Sequence, residues 1–545
     1  IDINAATLTL RDSAQLVTIT REASDTQPAG IGDAGDVNVK VSGLVDIAGE
    51  KNGFYSGIFS YVDTGTEGDG GNITIDSGSF SLTDAARLQA STFGKGNAGN
   101  VKVTATDAVS LADNAYIFST VEAGGDGEGG NIDINAATLT LQECAQLLTL
   151  TRGASDTQPA GKGNAGNVNV RVSGLVDISG EKNGYYSGIY SVADTGTVGN
   201  AGNITIDSGS FSLRDGALIN ARTKTDYRGG DVTVNTNIFE ALNGGQLVAI
   251  TSGNGSAGKI TVNASKKTTI SGSDPDYNYR LAQLPDYVPL IGDKSGLFVS
   301  SSGSGNTGDI QLNSPQITLD NQGRLDANSA SGNGGNINLT SDLLLMRRGA
   351  QISTNAGTAQ QGGDGGNINI NSKFIVAPSQ ENSDITANAF SGTGGNVEIL
   401  SQGIFGIEPR AQQTDKSDIT ASSELGVPGN LNLTDPDDSS IRNNLNDLPD
   451  NQIDTNTIIA NSCIVRSNEQ NGTFLITGSG GLPQNPSDAP LSSYSTGSIR
   501  YIPSKSEKSP TSTNTRPWKI GDPVVEPQGV YKLPNGQLVL SRECK

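Results

Sequence analysis

The sequence predicts an all-β chain wound as a right-handed, single-stranded parallel β-helix, a solenoid followed by a small irregular C-terminal module. Three observations predict this. A Gly-Asn turn running into an alternating strand recurs thirteen times, the copies lie mostly 27 to 36 residues apart, and each period divides into three short strands separated by polar corners. Gly71-Asn72-Ile73-Thr74-Ile75 is the pattern, and variants begin at Gly35, Gly71, Gly99, Gly130, Gly166, Gly202, Gly230, Gly258, Gly308, Gly335, Gly366, Gly395 and Gly429. Repetition at that period belongs to stacked supersecondary units rather than to separate globular domains.

Within one copy, Ile73 and Ile75 point to one side and Thr74 to the other, the period of a half-buried strand. No stretch reads as helix. In the period opening at Gly130 the strands are Ile132 to Asn135, Thr138 to Leu141 and Gln146 to Thr151, followed by a polar Gly-rich return to Gly166. Each strand then pairs with its counterpart one coil away. At about 4.8 Å per coil, thirteen coils extend roughly 60 Å.

The residue after the repeat glycine is Asn in nine copies: Asn72, Asn100, Asn131, Asn167, Asn203, Asn336, Asn367, Asn396 and Asn430. Asp36, Asp231, Asp309 and Lys259 take the place in the others. Gly and Asn tolerate the left-handed backbone of a sharp corner. Asparagines stacked one coil above another are expected to hydrogen-bond into a ladder.

Residues 1–131 and 132–262 form a longer repeat at an offset of 131. Ile1 to Leu10 is identical to Ile132 to Leu141, and Gly43 to Leu82 tracks Gly174 to Leu213. The chain thus opens in mid-coil, and further sequence is expected before Ile1, because solenoids carry caps. One corner in each block swells into a loop, Glu50 to Gly57 and Glu181 to Gly188, expected on one face about 19 Å apart. A 50-residue spacing from Gly258 to Gly308 holds an insertion, roughly Ser273 to Gly296, rich in Tyr and Pro. Regular coils fade after Gly429. The helix is therefore assigned to 1–435 and a polar module to 436–545, with a Ser/Pro/Thr-rich linker at 503–517 and an alternating segment ending at Gln537 to Leu540.

Composition narrows the functions. Aromatic residues are 5% of the chain, so the core is a thin column of Ile, Val, Leu and Ala. A net charge of -21 and a pI near 4.4 argue against nucleic acid and anionic membrane as partners. No run of eighteen apolar residues is present, so no transmembrane helix is expected.

The chain contains no histidine, which removes Ser-His and Cys-His nucleophile systems and imidazole metal sites. Parallel β-helices of the pectin-lyase-like kind include pectate lyases and polygalacturonases, which gather Asp and basic residues in a groove. Acidic residues do recur here, at Asp12, Asp84, Asp113, Glu143 and Asp215. They read either as a catalytic or calcium-binding column or as corner chemistry copied by duplication. The second reading is preferred, since charges one coil apart repel by only about 0.9 kcal/mol in water. Gly94 to Gly99, Gly253 to Gly258 and Gly303 to Gly308 match a dinucleotide fingerprint in spacing, yet each leads into a strand rather than a helix and is assigned to turns. No cofactor and no metal are expected.

The aromatic loops are the candidate ligand-binding elements: Phe54 and Tyr55, Tyr185 and Tyr186, and Tyr277, Tyr279 and Tyr287 of the insertion. Amphipathic rings on glycine-flanked loops suit stacking on sugars or filling a partner's pocket. The same rings beside a swollen corner can instead cover exposed core.

Several stretches resemble a known group, the large filamentous-haemagglutinin-like exoproteins of two-partner secretion, especially the cyanobacterial type. The likeness is carried by Gly96 to Val101, Gly216 to Ile219, Asn461-Ser462-Cys463 and Phe474 to Pro483, with Gly480 to Pro486 the most specific. The resemblance implies export through an outer-membrane β-barrel transporter and a secreted or cell-surface location on the outer face of the outer membrane. It implies an adhesin role, without the amino-terminal secretion domain of that group in this sequence. Cys144 aligns with Ser13 and reads as an unpaired small residue. An exported chain permits a disulfide between Cys463 and Cys544, which would close a loop of about eighty residues and stabilise the module by about 4 kcal/mol; both thiols free is the alternative.

The expectation is a non-enzymatic rod for surface or glycan attachment. A β-helix polysaccharide lyase or hydrolase, with converging Asp, Arg and Lys, is the first alternative. A structural sheath or surface-layer component is the second.

Overall fold

The computed structural model describes residues 1–283, 291–303, 305–434, 474–475, 498–501, 529–533, 535–536 and 538–541. Tyr287, Cys463, Cys544, the linker 503–517 and most of the tail that carries the family resemblance lie outside them. The chain divides into two compact units, Ile1–Pro436 and Asp437–Lys545.

The first unit is a parallel β-helix. Its strands form two long parallel sheets, one of 21 strands and one of 14. In the coil opening at Gly130 the strands are Ile132–Ala136, Thr138–Gln142 and Gln146–Thr151. The first two belong to the larger sheet and the third to the smaller. Each pairs in parallel with its equivalents one coil before and one coil after, as when Ile132 lies between Val101 and Val168. Alternation fixes which residues face inward. Ile132, Ile134, Leu139, Leu141 and Leu147 are all fully buried, and their equivalents continue the column through neighbouring coils. A core one coil thick suits β-branched residues and Leu, whose side chains stack above their own kind.

Three expectations require correction. The first two strands of a coil are not always separate: Val168–Ser179, Ile204–Arg214, Val232–Leu242, Ile260–Ser271, Ile337–Met346 and Ile368–Val376 each run continuously through the first corner. That corner is a bend and not a reversal, so the ladder passes through it. An extra residue is absorbed as a register shift, as between Val172 and Leu175.

The chain also contains an α-helix, Tyr277–Gln283, inside the insertion. The start signal is present in Asp274-Pro275-Asp276: the Asp274 side chain accepts the Asp276 N–H at 3.0 Å, and Arg280 N–H donates to the Asp276 carbonyl at 3.0 Å.

The repeat glycines, finally, are not left-handed. Gly71, Gly99 and Gly130 are absent from the positive-φ residues of the described chain. Close approach demands them instead: a Cβ on Gly99 would lie 2.0 Å from the carbonyl oxygen of Gly71, and one on Gly130 2.0 Å from that of Gly99. The left-handed corner residues are elsewhere, at Asp12, Asp84, Asp113, Glu143 and Asp215, with φ between 52° and 57°. The recurrent acidic residues thus sit at left-handed corners, a conformation that Asp tolerates better than most residues.

In the second unit, Phe474–Leu475, Ser498–Tyr501, Gly529–Lys532 and Leu538–Ser541 form a four-stranded sheet with one parallel and two antiparallel pairings. No helix among the described residues is long and apolar enough to cross a membrane.

Candidate functional site

The corner asparagines hydrogen-bond from coil to coil. Asn72 Oδ1 accepts the Asn100 N–H at 2.9 Å, Asn100 Oδ1 that of Asn131 at 2.8 Å, Asn131 that of Asn167 at 2.8 Å and Asn167 that of Asn203 at 2.8 Å. Asn336 and Asn367 serve Asn367 and Asn396 at 3.1 and 3.2 Å, and Asn430 Nδ2 donates to Asn396 at 3.1 Å. A second ladder runs three residues upstream: Asp69 accepts from Asn97 at 2.7 Å, Asn97 from Glu128 at 2.8 Å, and Asn164 from Asn200 at 2.7 Å. Sequence reasoning missed it, although the first Asn of Gly96-Asn97-Ala98-Gly99-Asn100 signals it. Both ladders satisfy backbone groups that a corner would leave unpaired, so they are architecture rather than a ligand site.

Both swollen corners are antiparallel hairpins at the entrance to the third strand, Glu50–Lys51 with Phe54–Tyr55 and Glu181–Lys182 with Tyr185–Tyr186. The insertion opens at the same corner, between Ile260–Ser271 and Gly296–Ser301. After each, the chain continues as Gly-aliphatic-aromatic: Gly57-Ile58-Phe59, Gly188-Ile189-Tyr190 and Gly296-Leu297-Phe298. The aromatic ring folds back over its own glycine, where a Cβ would meet it at 2.9, 3.0 and 2.7 Å.

The candidate aromatics part company here. Phe54 is 65% exposed and Tyr279 64%. Tyr55 covers the Arg87 guanidinium, whose carbon lies 3.4 Å from the ring centroid. Tyr186 is buried in a satellite cluster with Leu218, Val248 and Phe298, against which Tyr277 and Leu281 of the helix also pack. Leu218 occupies in the second block the place of Arg87, and Arg280 from the insertion supplies the cation instead, 4.5 Å from the Tyr186 centroid. Arg280 is itself buried and ion-paired with Asp274, with Glu181 4.0 Å away. The insertion thus reaches back to brace the second hairpin.

Beneath that hairpin, on the outer side of the third strands, lies a cleft of about 560 Å³. Its aromatic lining is Tyr116, Tyr185, Tyr186 and Tyr190; its polar lining includes Gln146, Asn220, Asp194 and the cations Arg152, Arg222 and Lys224. Parallel register builds it, because Leu148, Tyr190 and Asn220 are successive partners in one column, and Leu150, Val192 and Arg222 in the next. Burial pushes the Tyr116 and Tyr190 hydroxyls above the usual phenol range, so both are neutral donors. Burial would raise the Asp194 carboxyl, but Lys224 at 3.0 Å and the Thr195 N–H at 2.8 Å hold it below its ordinary value. Burial lowers Arg222, with Asp194 opposing. Arg152 pairs with Glu122. The result is a half-open site with aromatic walls and fixed charges, suited to a ligand that has both an apolar face and hydrogen-bonding groups.

Of this lining, the sequence singled out only Tyr185 and Tyr186. Asn220 and Arg222 on the strand Leu218–Thr223, and Lys224 just after it, come from the next coil, and the signal that could have found them is their departure from the duplicate at Gln89, Ser91 and Phe93. Among the described residues no group of three or more His, Cys, Asp or Glu is placed to hold a metal ion. Cys144 is buried at a left-handed corner, its thiol raised by burial and bonded to Tyr116 Oη at 3.3 Å. No family of known proteins, no curated protein and no solved structure matches this chain.

Proposed function

We propose that this chain is a non-enzymatic β-helical scaffold for attachment to glycan-bearing surfaces, exported to the cell surface or released from it. The observation that carries the reading is the tyrosine-lined cleft beneath the second hairpin. Saccharides present an apolar ring face and a fringe of hydroxyls, and amphipathic aromatics interleaved with Asn, Gln and Arg answer both. A rigid coil stack holds such a site without large ordering cost on binding. Export through a β-barrel transporter in the outer membrane rests on the sequence likeness of the corner and tail motifs alone.

A glycan array probed with the purified chain tests this. Saccharide binding that drops when Tyr185 and Tyr190 are changed to Ala, with the fold retained by circular dichroism, is the expected result. A chain that retains no saccharide would overturn it. Point variants are preferable to deleting 273–296, because the helix Tyr277–Gln283 packs on the cluster that contains Tyr186.

A further inference from the structure

The duplication supplies an internal comparison for the cleft. At the offset of 131 residues, Tyr61 and Phe93 of the first block correspond to Val192 and Lys224, and Ser91 corresponds to Arg222. In the first block Tyr61 and Phe93 meet edge to face, ring centroids 5.8 Å apart. Val192 and Lys224 cannot make that pair. The strand on the adjoining sheet recurs unchanged, Ile73-Thr74-Ile75-Asp76-Ser77 as Ile204-Thr205-Ile206-Asp207-Ser208, so the divergence is concentrated on the third strand, where Arg87 and Gln89 also give way to Leu218 and Asn220. At these three positions the first block carries two rings and no cation, the second two cations and no ring.

Two residues that line this cleft each carry a buried polar atom without a partner among the described residues, Arg222 Nε and Asn220 Oδ1, the latter on a residue only 3% exposed. Buried donors and acceptors are ordinarily paired, so an orphan donor and an orphan acceptor two residues apart in one cleft point to a group supplied from outside the chain. Arg152 is occupied by Glu122 and Lys224 by Asp194. Of the three cations that line the cleft, Arg222 is the one with no carboxylate at ion-pair distance among the described residues.

Resting on the glycan-attachment reading, we infer that the second-block cleft, and not its counterpart at Tyr61 and Phe93, binds a carboxylate-bearing sugar, a uronate residue. Its carboxylate meets Arg222, a hydroxyl donates to Asn220, and its ring lies against the tyrosines. A planar guanidinium matches a carboxylate, and Asp194 disfavours a doubly charged phosphate.

The test is calorimetric titration of the whole chain with an oligogalacturonate, its fully methyl-esterified form and a sulfated neutral oligosaccharide of equal length. The same titrations are run on Arg222→Ser and on the paired change Val192→Tyr with Lys224→Phe, which restores the first block's residues. We expect the oligogalacturonate to bind about tenfold or more tightly than the ester, and each variant to lose at least that factor while melting as the parent does. Equal affinity for acid and ester, a sulfated sugar bound as well as the uronate, or affinity untouched in folded variants would overturn the inference while leaving general glycan attachment standing. Absence of binding to any saccharide would overturn both. The acid-against-ester comparison uses the unaltered chain, so it decides even if a variant fails to fold.

Discussion

Asp326 shows what a single residue costs in this architecture. It lies on the outer side of the third strands beside Phe298, its side chain 13% exposed, with Oδ1 unpartnered among the described residues and Arg324 3.7 Å from Oδ2. Burial, only partly offset by Arg324, pushes its carboxyl from 3.8 up to about 6. The folded state thus prefers the protonated form, so the contribution of Asp326 to stability is fully present below the unfolded pKa and is lost as pH rises through about 6. Asp326→Asn, which keeps the shape without the charge, is expected to stabilise the helix by roughly 2 to 3 kcal/mol at about pH 8 and to match the parent near pH 3.5. Denaturant melts at both pH values check this; a variant less stable than the parent at the higher pH would show that Arg324 fully compensates the charge. Glu381 is the opposite case. Bidentate Arg347, at 2.6 Å twice, and the Arg348 N–H at 2.9 Å hold it down at about 2. Its contribution is present above the ordinary carboxylate range and lost as pH falls through about 2, so Glu381→Gln should weaken the fold at neutral pH and approach the parent in strong acid.

At the scale of the coil, the corner glycine and the asparagine beside it do different work, and substitutions should separate them. Gly99→Ala places a methyl 2.0 Å from a backbone oxygen that cannot rotate away, so the coils opening at Gly71 and Gly99 must part locally. A loss of roughly 3 kcal/mol is expected. Asn100→Ala removes an acceptor for the Asn131 N–H and a donor to Asn72, both near the surface where water can substitute, and should cost about 1 kcal/mol. Chemical denaturation ranks the two; an equal cost would mean that the ladder, not the close approach, holds the corner. The strands themselves were legible because alternation at period two is a local property: Ile132, Ile134, Leu139, Leu141 and Leu147 all face inward. The role of the glycines was not, since a requirement for close approach and one for a left-handed backbone look the same in a sequence. Nor was the helix Tyr277–Gln283, too short for a periodic signal and held by contacts to Tyr186 and Val248 from earlier coils. The cleft was half legible. A loop advertises Tyr185 and Tyr186, whereas Arg222 joins them only because parallel register stacks it beside Val192 and Leu150.

The coil stack of the first unit adds strand after strand to two sheets, each coil pairing with its immediate neighbours, as Val101 does with Ile73 and Ile132. Stability in such an array is a sum of coil terms and interface terms, so damage at one coil should spread only as far as cooperativity carries it. The insertion is an exception to strict neighbour contact, because the helix Tyr277–Gln283 ties the coil opening at Gly258 to the hairpin in the coil opening at Gly166. Amide exchange on Gly99→Ala should therefore quicken about tenfold or more in Ile73–Ser77, Val101–Ala105 and Ile132–Ala136. It should leave Ile337–Met346 unchanged. Arg280→Ala, which unpairs Asp274 and uncovers Tyr186, should instead quicken exchange across the whole interval from Tyr185–Tyr186 to Gly296–Ser301, four coils responding together. If both substitutions perturbed only their own coil, the helix of the insertion would be an ornament on the stack. If both perturbed all coils alike, the stack would unfold as one unit, and the second-block cleft would owe its rigidity to the entire solenoid and not to the brace across it.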